Sequence, residues 1–119
     1  MGIRVLVLSK ENVLLSESDP EDVIVWDYMN APKDYNNYYI GHIMGDYCKS
    51  DIKDPRIRYF KHLFSQFDLV FSGIQLKELS KEVETLEDLG LINKEDLEVI
   101  KLGIKEARDK GLSLRFEYE

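Results

Sequence analysis

A chain of 119 residues, 44% hydrophobic and 33% charged, suits one folded domain around one core and excludes a disordered tail. Its net charge of −7 opposes nucleic-acid phosphates, whose recognition rests on Lys and Arg displacing counterions. Its apolar runs fall far short of the ~20 residues of a membrane span, Cys48 alone permits no internal disulfide, and a cytoplasmic protein is expected.

Ile3-Arg4-Val5-Leu6-Val7-Leu8 sets Ile3, Val5 and Val7 on one side and Leu6 and Leu8 on the other, as in a strand covered on both faces. Ser9-Lys10-Glu11-Asn12 reads as a turn into Val13-Leu14-Leu15, which makes a hairpin plausible. Ser16 to Asp22 is a polar loop carrying Asp19-Pro20. Val23 to Tyr28 is rich in β-branched and aromatic residues and predicts a further strand, ended by Asn30-Ala31-Pro32.

Asp34 can cap a helix that begins at Tyr35, with Tyr35, Tyr39, Ile43 and Tyr47 on one stripe at i, i+4 spacing. Gly41 and Gly45 each oppose a helix by about 1 kcal/mol, and a β-hairpin centred near Gly41 fits the same residues. Asp54-Pro55 has the form of an N-cap acid followed by proline at the first helical position. Ile57, Phe60, Phe64 and Phe67 then predict a helix from about Pro55 to Gln66. Its other face is basic, with Lys53, Arg56, Arg58 and Lys61 forming an island that can sit against acids elsewhere in the fold.

Leu76, Leu79, Val83 and Leu86 step by three and four residues to Gly90, a left-handed C-cap. Asn93-Lys94-Glu95-Asp96 is a capping box with Asp where Glu or Gln is usual. Leu97, Ile100, Ile104 and Ala107 follow as an apolar stripe closed by Gly111, and the short connection implies an antiparallel helix pair. Leu112 to Tyr118 alternates without fault and is the clearest strand. The expected fold is a single α+β domain over residues 1–119, with a small sheet of the N-terminal strands plus the C-terminal strand packed against three to four helices. The polar face and position of the last strand leave an edge in reach of a second subunit, so a monomer or weak dimer is expected.

Little in the chain resembles a reaction centre. His42 and Asp46 have the spacing of two helical metal ligands, but a third and fourth are missing and no metal or cofactor is expected. Cys48 has no sequence cue tying it to a histidine, His62 reads as a rim residue, and Gly41 and Gly45 lack the Gly-Lys-Ser/Thr of a phosphate loop. No catalytic residue is assigned.

The informative segment runs from Trp26 to Tyr47, with five of the seven tyrosines and the only tryptophan. From Glu11 to Asp34 the acids Glu11, Glu17, Asp19, Glu21, Asp22, Asp27 and Asp34 face a single base, Lys33. A buried aromatic layer is the bland account. The sharper one is a contact surface for a basic protein, formed by Trp26, Asp27, Asp34, Tyr35, Tyr38, Tyr39, His42, Asp46 and Tyr47. In it Asp27, Asp34 and Asp46 pair with Lys or Arg, and the aromatic residues supply apolar contact.

The physical brief is that of an inhibitor of a nucleic-acid enzyme or binding protein, whose working face must be positive. Immunity proteins that neutralise a nuclease toxin and phage anti-defence inhibitors both meet it. Two other roles fit less of the chain: an adaptor binding through Gln75 to Lys110, where ten acids meet seven bases between Ile74 and Lys110, and a small-molecule-binding domain or enzyme with an aromatic pocket around His42.

Overall fold

The computed structural model describes residues 2–8, 24–26, 38–47, 52–64, 68–71 and 74–118. In chain order they form β1 (Ile3–Leu8), β2 (Ile24–Trp26), β3 (Tyr38–Ile43), α1 (Tyr59–Leu63), β4 (Asp68–Phe71), α2 (Ile74–Leu89), α3 (Lys94–Lys110) and β5 (Ser113–Tyr118). The fold is α+β: one antiparallel sheet of order β2-β4-β5-β1-β3 with three helices.

The C-terminal strand joins the N-terminal one, as expected, but it does not offer an edge. β5 pairs with β1 along its whole length and with β4 on its other side, so it lies at the centre of the sheet. Its alternation holds at Leu114 and Phe116, while Ser113 and Arg115 on the opposite side are buried as well. Leu6 of β1 and Val70 of β4 share that second buried face, which bears out a strand covered on both sides.

The helices lie against the first face, α3 on β3, β1 and β5, and α1 and α2 on β4. Ile3, Val5, Val7, Leu69, Phe71, Leu114 and Phe116 meet the apolar stripes of the helices there. Phe60 of α1 and Phe71 both set their edges against Phe116, at centroid distances of 5.9 and 5.7 Å, an arrangement aromatic rings favour. Gly103 lets α3 come this close. A Cβ there would stand 2.9 Å from Val5 Cγ1 and 3.0 Å from Leu114 Cδ1. Gly103→Ala is therefore expected to lower stability by about 1–3 kcal/mol despite its higher helix propensity, read as a fall in the urea midpoint at unchanged slope.

The helix ends follow the sequence closely. Gly90 and Gly111 adopt φ of 65° and 63°, and the Asn93 side chain accepts a hydrogen bond from the Asp96 N–H. Two expectations fail. Asp54-Pro55 does not start the helix; it starts a turn, closed by Ile57 N–H donating to Asp54 O at 3.1 Å, with Arg56 bound to the Asp54 carboxylate. Aspartate followed by proline serves a turn as well as a cap, and α1 begins only at Tyr59.

Tyr38 to Ile43 forms neither a helix nor a hairpin turn. It is one strand running through Gly41, whose missing side chain admits Val99 of α3; a Cβ there would lie 3.0 Å from Val99 Cγ1. The strand Asp68–Phe71 escaped prediction because four residues carry no readable period. The proposed strand at Val13 to Leu15 and Cys48 lie outside the described residues.

Candidate functional site

β3 ends the sheet order, and its pairing with β1 carries an irregularity. Val5 pairs with Gly41 but Leu6 pairs with Tyr39, so Ile40 is an extra residue on β3. In a regular strand residues three apart lie on opposite faces. The bulge at Ile40 cancels that alternation and sets Tyr39 and His42 on the same face, away from α3. The Tyr39 hydroxyl and His42 Nδ1 are hydrogen-bonded, with ring centroids 5.3 Å apart. Tyr39 is 54% exposed.

His42 stands opposite Arg4 in register, and Arg4 opposite Glu117. The Arg4 and Arg115 guanidiniums both reach the Glu117 carboxylate, at 2.9 and 3.1 Å. A polar row therefore crosses three strands beside the tyrosine. His42, Arg4 and Glu117 in this row are half-buried and the adjoining Arg115 is buried.

Beyond Ile43 the chain leaves the sheet and is held by α3. Met44 N–H and Gly45 N–H donate to the two oxygens of Asp96 at 3.0 and 2.9 Å, and the Tyr47 hydroxyl donates to Oδ2 at 2.7 Å. The same hydroxyl accepts from Asn93 N–H at 3.0 Å. The reciprocal half of the capping box thus runs through a phenol: Asn93 N–H to Tyr47, and Tyr47 to Asp96.

Burial, and then the bond to Asp96, push the Tyr47 phenol up to about 12. Such a group stabilises the fold fully below its unfolded value near ~10, and the contribution fades as pH rises through the folded one. Tyr47→Phe should cost about 1–3 kcal/mol at neutral pH by stranding the Asn93 amide. Urea midpoints should also show that the variant lacks the loss of stability that the parent undergoes between about pH 10 and 12.

These contacts turn Tyr47 from an expected partner residue into a structural one. It packs on Phe64, centroids 5.1 Å apart, and joins the core margin. Met44, at 70%, and Asp46 are exposed beside it in sequence. Of the other expected contact residues, Tyr38 pairs through its backbone with Val7. Trp26 lies in β2, at the opposite end of the sheet order from β3 and roughly 19 Å away at the usual strand spacing. Trp26 and Tyr39 therefore do not share a strand edge. Asp27, Asp34 and Tyr35 lie outside the described residues.

His42 and Asp46 lose their helical spacing because the segment is extended, and among the described residues no three metal-binding side chains cluster. A small cavity of about 130 Å³ near Asp46, Tyr47, Phe64 and Tyr118 is lined without His42. A groove of about 700 Å³ opens between α2 and α3, where Glu84, Glu87, Asp88 and Asp109 face Lys101, Lys105 and Arg108. Lys101 and Glu87 are already paired across it. That is the mixed charge of a solvated helix surface. No helix among the described residues is long and apolar enough to cross a membrane.

Comparison with protein-family models, curated proteins and solved structures finds no match.

Proposed function

We propose that the chain is a small acidic inhibitor that binds a basic protein and blocks its working face, in the manner of an immunity protein against a nuclease toxin or of a phage anti-defence inhibitor. The observation that carries this reading is a pair of exposed apolar side chains, Tyr39 on the strand that ends the sheet order and Met44 just past its end, with exposed Asp46 two residues further on. Tyrosine and methionine are the kinds of side chain that protein contact surfaces favour. The acidic balance of −7 then selects a cationic one and speeds its approach.

The chain used as bait in a lysate of its native host should retain a basic nuclease or nucleic-acid-binding protein and inhibit it. Tyr39→Ala should lower affinity about tenfold or more, mainly through faster dissociation, as expected of an aromatic anchor. Asp46→Lys, and Asp27→Lys with Asp34→Lys, should slow association, and more so at low salt. A cognate complex whose association ignores both salt and these reversals would remove the electrostatic basis of the reading. The groove between α2 and α3 gives the adaptor reading little, since its charges are largely matched within the fold.

A further inference from the structure

Resting on that reading, we infer that the partner presents an extended, lysine- or arginine-bearing segment that adds to the sheet along β3, guided by an acidic flank of α3. Three independent features meet there.

The first is the character of the edge. Sheet edges are ordinarily blunted by charges, proline or a bulge; Tyr38-Tyr39-Ile40-Gly41-His42-Ile43 has no acid, Lys, Arg or proline, and its bulge is confined to Ile40. Among the described residues only β1 pairs with it. The bulge at Ile40 twists the strand locally and leaves Gly41 to Ile43 as the straight part.

The second is the helix beside the strand. Glu95, Val99, Leu102 and Glu106 recur at i, i+4, i+7 and i+11, which puts them on one side of α3. Val99 lies against Gly41, which shows that this side flanks β3. Leu102 is 47% exposed, one of few large apolar side chains so placed, and Val99 is half-buried.

The third is charge. Glu95 and Glu106 on the flank and Asp46 past the strand end are acids, with Lys110 paired to Glu106. An added strand gains main-chain hydrogen bonds from the edge and specificity from alternate side chains. Here every second side chain would face the α3 flank, where acids select Lys or Arg and the Val99–Leu102 gap takes an apolar group.

The test uses the full chain and a capped eight-residue peptide of alternating lysine and valine, followed by amide hydrogen exchange in NMR. The expected result is binding at or below millimolar peptide, with new protection among the amides of residues 41–43. An alternating glutamate–valine peptide and a lysine–valine peptide N-methylated at alternate residues should both bind at least tenfold more weakly. Glu95→Lys with Glu106→Lys should weaken the lysine peptide at least tenfold at an unchanged melting temperature. Should that pair prove unfolded, Leu102→Ser with Asp46→Lys makes the same comparison. Absence of binding, binding without protection of residues 41–43, or indifference to N-methylation would overturn strand addition. The inhibitor reading falls separately, if a captured host complex proves insensitive to Tyr39→Ala and to the charge reversals.

Discussion

Replacing Asp96 with alanine is expected to lower the unfolding free energy by about 3 kcal/mol or more. Asp96 is 2% exposed and serves three donors, two of them main-chain amides of the segment that leaves β3. Each buried donor that loses its acceptor costs roughly 1–3 kcal/mol, and the Met44 and Gly45 amides would lose the acceptor that ties the strand exit to α3. Asp96→Asn keeps the volume and one acceptor oxygen, so about half of the loss should return. Urea denaturation at neutral pH measures both. Equal losses for Ala and Asn would show that charge, and not acceptor geometry, holds the segment.

The second large effect concerns Glu82. This residue of α2 is 5% exposed, and its two carboxylate oxygens accept the Tyr59 and Phe60 N–H groups at 3.0 Å each. Those amides open α1, a five-residue helix whose own N-cap residue, Arg58, gives it no side-chain capping hydrogen bond. A helix that short does not persist unaided. Glu82→Ala should cost about 2–4 kcal/mol and release α1, seen as faster exchange of the Tyr59 and Phe60 amides than of those in α3.

The same carboxylate gives a pH dependence. Burial pushes Glu82 above its ordinary value, against the opposing pull of the amides and of Arg58. A raised folded value means that its stabilising contribution is complete below the unfolded pKa and is lost as pH climbs through the folded one. Wild-type stability should therefore carry a falling component above about pH 4.5 that Glu82→Gln lacks. Matching pH slopes in the two proteins would exclude Glu82 as its source.

Long periodic stretches were legible in the sequence. The stripes of α2 and α3, the glycines that end them, and the alternation of β5 each involve residues interacting with near neighbours or with one broad face. What stayed hidden depends on distant partners. Glu82 looks like one of many surface acids of α2 until α1 is seen to lack a cap. Asp96 read as the fourth and closing residue of a capping box, whereas its carboxylate serves residues about fifty positions earlier.

The bulge at Ile40 leaves no trace in the order of residues, yet it decides that Tyr39 and His42 share a face. The tyrosine-rich segment was legible in composition only. Its i, i+4 coincidence suggested a helix, and sheet pairing with β1 overrode it.

The phenol of Tyr47 has a consequence for communication within the molecule. Because it bridges the first amide of α3 and the carboxylate that holds Met44 and Gly45, fraying of the helix start and loosening of the strand exit are one event. By thermodynamic reciprocity, anything that clamps the strand exit must also quiet the helix start. A ligand at β3 would thus be reported by slower exchange at the Asn93 and Asp96 amides, and lengthening Asp96 to glutamate, which lets the box close on itself, would cut that wire.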